Sequence, residues 1–176
     1  MLEVKFYDSI DDSLLKFAVI ISQSNGKWVF CKHKERDTFE VPGGHREAGE
    51  NILETAKREL QEETGAIKFD IKPVCVYSVI GKTRVNDTGE ESFGGLYFAE
   101  ISEFAKELHS EMEKVVLMDE LPDNWTYPLI QPKLIEKYLQ AVLDVFDQQI
   151  GQKQKGQHLG GIHQGFAQNI QKQFHK

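Results

Sequence analysis

Apolar positions along the chain recur with two periods, and the switch between them marks the elements. Leu15 to Ile21 (LKFAVII) is a short apolar run of the kind found in a strand buried on both faces. Asn25-Gly26 is a hairpin turn signal. Lys27 to His33 is the return strand, with Trp28, Phe30 and Lys32 on one side and Val29, Cys31 and His33 on the other. Thr38 to Val41 is a short strand that leads into Pro42-Gly43-Gly44. Ile67, Phe69 and Ile71 alternate until Pro73 interrupts, and Val74 to Ile80 reads as a separate strand. Residues 81–92 are charged and turn-rich, which predicts a loop. Phe93 to Ile101 is a strand whose Gly94-Gly95 marks a bulge or a close backbone approach. Phe104 to His109 reads as a short helix and Val115 to Met118 as a short strand.

The period lengthens to that of a helix in two places. Ile52, Leu53, Ala56 and Leu60 form one apolar stripe. Leu134, Ile135, Tyr138, Leu139, Val142 and Val145 form another, opened by Gln131-Pro132, where the missing N–H of proline costs little. This order predicts an α/β fold with a mixed sheet, one helix in mid-chain and one near the end.

The mid-chain helix has marked ends. Asn51 with Glu54 three residues on approaches a capping box, and Gly65 stands where a glycine ends a helix. Before it, Gly43 and Gly44 offer a backbone without Cβ, suited to a close approach or an unusual φ. Glu59, Glu62 and Glu63 converge at spacings of three and four. Like charges so placed cost roughly 0.2–0.5 kcal/mol per pair. Arg58 offsets part of that, and a hard divalent cation would offset more. Three helical Glu alone would read as a solvated face; the glycine loop and Glu50 argue otherwise.

Gly44, five residues, Glu50, seven residues, then Arg58-Glu59-Leu60-Gln61-Glu62-Glu63-Thr64-Gly65-Ala66 resembles the Nudix box. All fixed glycine, glutamate and arginine positions match, and Ala66 is a small occupant of the final aliphatic site. The resemblance implies an α/β/α sandwich over residues 1–147, with a mixed sheet between helices. It also implies hydrolysis of a nucleoside diphosphate linked to another group, with Mg²⁺ or Mn²⁺ as cofactor. By the same resemblance Glu62, Glu63 and the Gly43 carbonyl are metal ligands, and Glu59 is a ligand or the general base. Arg58 holds Glu59, and Glu50 carries an outer-shell water or metal. The family often adds a later acid, for which Glu111 and Glu113 are the candidates.

RDTFEVPGGH (Arg36–His45) and WTYP (Trp125–Pro128) are similar to segments of the MutT-like branch, which cleanses oxidised purine triphosphates. That branch reads its base with an Asn in the second region. Here Thr126 stands in the corresponding place and Asn124 precedes it. The likeness implies a nucleoside triphosphate cut to monophosphate and pyrophosphate, with 8-oxo-dGTP among the candidates. ADP-ribose or a dinucleoside polyphosphate is the alternative, and a non-catalytic ligand-sensing module a remote one. Lys32, His33, Lys34, Arg36 and Arg46 cluster near the glycine loop, with His45, and Lys82 and Arg84 lie in the 81–92 loop, all as phosphate partners. Trp125 and Tyr127 are candidates to stack on a base.

Composition adjusts this picture in three ways. The net charge is −7, but the four Lys after Asp147 have no acid beside them, so residues 1–147 carry 17 basic and 28 acidic groups. A body at −11 is a poor partner for a nucleic-acid polymer. Cys31 and Cys75 lie in apolar runs without metal-ligand spacing and read as reduced thiols. No apolar stretch approaches the ~18 residues of a membrane span, and the N-terminus lacks a signal-peptide pattern, so the expected compartment is cytoplasmic. Residues 148–176 hold nine Gln and five Gly. That composition suits a disordered tail, yet Leu159, Ile162, Phe166, Ile170 and Phe174 recur at helical spacing. A basic helix docking on an acidic body, in the same chain or in a homodimer, is the expectation for this segment.

Overall fold

A computed structural model describes residues 2–83, 86–107 and 112–153, with side chains through Gln149. Strands β1 (Glu3–Tyr7), β2 (Leu15–Ser24), β3 (Lys27–His33), β4 (Phe39–Glu40) and β5 (Gly43–His45) precede helix α1 (Ile52–Thr64). Strands β6 (Ala66–Ile80), β7 (Ser92–Phe104) and β8 (Met112–Met118) follow, then helix α2 (Gln131–Lys153). The sheet order is β1-β6-β7-β2-β3-β4, with β5 on β2 and β8 on β3. Among the described strands only β2 and β7 pair in parallel, so the sheet is mixed as expected. A mixed sheet with two helices agrees with the sandwich class that the box implied.

Strand β2 positions the site because its edge is shared. Phe17 to Val19 pair with His45 to Gly43, whereas Ser22 to Ser24 pair with Val29 to Lys27. Between them Ile20 donates its N–H to the Pro42 carbonyl at 2.9 Å. The glycine segment is therefore stitched to the most buried strand of the sheet. Helix α1 packs Ile52, Ala56 and Leu60 into the core with Ala18, Ile20 and Ile101. Burying an Ile or Leu side chain is worth roughly 1.5–3 kcal/mol. Leu53, expected on this stripe, is 36% exposed. It lies one helical step off the line through Ile52, Ala56 and Leu60, and that step turns it to solvent.

Four expectations change. Pro73 does not split β6, which runs unbroken from Ala66 to Ile80; the ladder to β7 shifts register between Pro73 and Cys75, the irregular place where a strand tolerates proline. The short helix at 104–109 is absent among its described residues: β7 extends to Phe104, and Ala105 donates its N–H to the Gly65 carbonyl at 2.7 Å. Strands β1 and β5 were not predicted: β1 alternates over only Glu3 to Phe6, and β5 is three residues, two of them glycine. Helix α2 continues past Asp147 to Lys153, and the chain divides into compact units after Leu134, so the boundary expected at 147 falls inside a helix. The stripe at 159–174 lies outside the described residues, as do Arg84 and Glu111. Among the described residues no helix is long and apolar enough to cross a membrane.

Candidate active site

The ends of α1 form as the sequence predicts. The Asn51 side chain accepts from the Glu54 N–H at 3.0 Å and the Glu54 carboxylate accepts from the Asn51 N–H at 2.7 Å. Gly65 takes the left-handed conformation at the other end, with φ 70°. These caps fix the start and stop of the helix and therefore the face on which its carboxylates stand.

Arg58 organises that face. Its Nε and Nη2 grip Glu50 at 2.6 and 3.1 Å, and its Nη1 reaches Glu59 at 2.8 Å and Glu62 at 3.2 Å. Nη2 also donates to the His45 carbonyl at 2.9 Å, tying the helix to β5. Such charge-assisted contacts are stronger than neutral ones. Glu50 also accepts from the Glu47 N–H and the Thr55 hydroxyl. Arg58 first, then these donors, holds the Glu50 carboxyl at about 2, against an ordinary 4.5. The same carboxylates push the Arg58 pKa upward.

The glycines serve close approach rather than an unusual φ. A Cβ on Gly44 would overlap the Glu59 carboxylate. The Gly43 N–H donates to Glu63 Oε2 at 2.9 Å, so the loop aims Glu63 at its own backbone. Glu63 is buried and Glu62 is exposed. Beneath Glu63 the Cys31 thiol donates to the Glu63 carbonyl at 3.5 Å; burial, with the Glu63 and Glu40 carboxylates nearby, pushes its pKa well up and leaves it inert.

Four carboxylates of this face, Glu50, Glu59, Glu62 and Glu63, stand against one guanidinium. That residual charge and the all-oxygen donor set suit a hard divalent cation. Among the described residues no three acidic, His or Cys side chains already surround a cation position. Arg58 takes oxygens of Glu50, Glu59 and Glu62.

Beside this face lies a cavity of about 260 Å³, lined by Gly43, Gly44, His45 and Glu63 on one side and by Arg36, Glu40, Tyr127 and Gln131 among others. Of the expected substrate partners it gathers Arg36, His45 and Tyr127, together with His33. It does not gather Arg46, whose guanidinium pairs with Asp12 at 2.8 Å and donates to backbone carbonyls of Asp12, Leu15 and Glu50. Arg46 is a brace for the loop. Trp125 packs edge-on against Phe30, ring centroids 5.4 Å apart, and does not line the cavity. Lys82 is also outside the lining, which takes Thr83 and Asn86 from the same loop. Glu113 accepts from Lys32 Nζ at 2.5 Å, a contact that holds its carboxyl below the ordinary value, and it does not line the cavity. Sequence reasoning missed Glu40, Gln131, Phe17 and Tyr77. Glu40 adjoins the glycine motif and was within reach; Gln131 lies 90 positions from its partner Val41 and carried no local signal.

The pattern of the NUDIX domain family matches residues 13–137. The chain belongs to the NUDIX family. It is an enzyme of that family, a hydrolase acting on nucleoside phosphates, and Nudix hydrolases generally use divalent metals. The Bacillus subtilis protein YtkD, provisionally named an 8-oxo-dGTP diphosphatase, is 34% identical over 123 residues, 69% of this chain and 73% of its own. Among solved structures, a mutant of the Bacillus subtilis pyrophosphohydrolase BsRppH is 27% identical with a TM-score of 0.65, covering 80% of this chain and 90% of that one. The Shewanella oneidensis NrtR NUDIX domain, solved with ADP-ribose, shares the fold at 17% identity and a TM-score of 0.54, over 73% and 88% of the two chains.

Proposed function

We propose that this Nudix enzyme hydrolyses a nucleoside triphosphate, an oxidised purine such as 8-oxo-dGTP among its substrates, to nucleoside monophosphate and pyrophosphate. The observation that carries the reading is the continuity of the cavity with the α1 face: Gly43, Gly44 and Glu63 belong to both. A nucleoside seated in the cavity leaves its phosphates beside the carboxylates. The similarity to YtkD supports the triphosphate over ADP-ribose or a dinucleoside polyphosphate.

Glu59, Glu62, Glu63 and the Gly43 carbonyl would hold Mg²⁺, or Mn²⁺, which supplies charge neutralisation and a more acidic water. Glu59, against Gly44 and oriented by Arg58 Nη1, holds a carboxylate where a proton from water can be accepted. Arg58 and Glu50 keep Glu59 in place. His33 and His45 line the same opening and can donate to phosphate oxygens. A freely diffusing nucleotide substrate accords with a cytoplasmic enzyme, which cell fractionation would check.

Glu59→Gln and Glu63→Gln are each expected to lower kcat by at least a hundredfold with an unchanged far-UV circular dichroism spectrum. Near-normal turnover in either variant would remove the assignment. A panel of nucleoside triphosphates, ADP-ribose and dinucleoside polyphosphates with Mg²⁺, read out as pyrophosphate against orthophosphate, tests the substrate. Triphosphate turnover in ¹⁸O water is expected to label one of two products, monophosphate or pyrophosphate. Orthophosphate as first product would contradict the reading.

A further inference from the structure

The cavity has a polar floor that the hydrolytic chemistry does not use. Glu40 is almost fully buried, with its side chain 8% exposed, and its Oε2 accepts from Arg36 Nη1 at 3.0 Å. Arg36 Nε is buried and has no hydrogen-bond partner among the described residues, a state that is costly unless a ligand supplies an acceptor. Gln131 accepts the Val41 N–H through Oε1 at 3.2 Å, which fixes its amide and leaves the NH₂ end to donate. All three line the cavity. Asn124 and Thr126, from the region where the MutT-like branch reads its base, do not: Asn124 donates to the Asp37 carbonyl, and the Thr126 hydroxyl is held by that of Thr38.

The walls around this floor are flat and apolar. Phe17 lies over Gly94, where a Cβ would overlap its ring, and Tyr77 stands 5.4 Å from it. Tyr127 and Leu134 complete the lining. At about 260 Å³ the space lies near the lower end of small-molecule sites, room for a nucleoside rather than a whole triphosphate.

We propose that the cavity takes the purine base of the substrate and that Glu40 selects guanine-type bases over adenine. Guanine presents two adjacent donors, N1–H and the amino group on C2, which a carboxylate can accept side by side. Its C6 carbonyl accepts from Arg36 Nε and the Gln131 amide. Adenine turns the N1 lone pair toward Glu40 and offers no carbonyl, so buried polar groups stay unpaired. Sites built on such pairing reject the analogue that lacks it far more strongly than apolar pockets do. Hypoxanthine, which keeps N1–H and the carbonyl but has no amino group, ranks between them. 8-Oxoguanine carries the same two donors, so Glu40 separates guanine from adenine and not the oxidised base from the normal one.

This inference rests on the triphosphate reading above, and binding separates the two. Calorimetric titration of the full-length protein with dGMP, dIMP and dAMP in the presence of Mg²⁺ is expected to give the affinity order dGMP, dIMP, dAMP, spanning at least tenfold. Glu40→Gln is expected to weaken dGMP binding at least tenfold and leave dAMP within threefold. With triphosphates the loss should fall on KM rather than kcat. Equal affinities for dGMP and dAMP in the wild type, or no saturation by either, overturn the proposal, and that comparison needs no variant to fold. A Glu40→Gln protein that is less stable but keeps the guanine preference makes Glu40 a structural partner of Arg36 and overturns it equally. A guanine preference without triphosphate turnover upholds the pocket and removes the triphosphate reading. Turnover without base preference does the reverse.

Discussion

At the scale of single residues, two adjacent glycines face different neighbours. A Cβ on Gly43 would sit 2.5 Å from the Ala18 carbonyl oxygen and 3.0 Å from Val19 Cα, backbone atoms that cannot yield. A Cβ on Gly44 meets the movable end of Glu59 instead. Gly43→Ala should therefore lower the melting temperature by several degrees. Gly44→Ala should cost at least tenfold in kcat with a much smaller shift in melting temperature. Thermal melts and kinetics on both variants check this, and the reverse pattern would contradict the contact geometry. Glu50 makes a second residue-scale test. Its folded pKa of about 2 lies below the ordinary 4.5, so its stabilisation is fully present above pH 4.5 and is lost as pH falls toward 2. The gap in melting temperature between wild type and Glu50→Gln should accordingly narrow over that window. A gap that stays constant would show that Glu50 acts through packing rather than charge.

At the scale of elements, α1 gathers structural and chemical duties into 13 residues. Its buried side is Ile52, Ala56 and Leu60, its ends are set by Asn51 and Gly65, and its remaining side carries the acids. Removing a cap side chain typically costs about 1 kcal/mol. Asn51→Ala should lower the melting temperature by roughly 2–4 °C for a chain of this size. It should leave KM nearly unchanged, because Asn51 faces Glu54 and does not line the cavity. A larger effect on kcat than on stability would show that the N-terminal turn takes part in positioning Glu50. This helix was legible in the sequence almost residue for residue, because caps and an amphipathic period are local properties. β6 was not: Pro73 is a strand breaker by itself, yet the long ladder to β7 carries the strand past it with a register shift.

At the scale of the whole molecule, the charge distribution sets the question. Residues 1–147 carry −11 against four uncompensated Lys beyond Asp147. The expectation drawn from that asymmetry is association of the basic segment with an acidic body, in one chain or between two. Light scattering on the full chain and on a chain ended at Lys153, the last described residue of α2, tests it. Loss of mass from dimer to monomer supports an intersubunit contact; a lower melting temperature at constant mass supports an intrachain one. No change in either discards the association.

The sequence by itself determined what short-range rules control. The Gly44–Ala66 pattern named the family, the caps bounded α1, and Asn25-Gly26, both with positive φ, closed the hairpin. It also brought Glu59, Glu62 and Glu63 onto one face, since helical spacing alone decides that. Tertiary structure decided which charged residues are free for chemistry and which are braces. Arg46 and Arg36 are alike in sequence, both cations beside a glycine loop. The fold sets Arg46 against Asp12 and backbone carbonyls, and Arg36 against Glu40 on the cavity. Gln131 joins that cavity through Val41, and Phe17 and Tyr77 meet across strands β2 and β6. These pairings span tens of residues and follow from strand order and register, which local spacing does not encode.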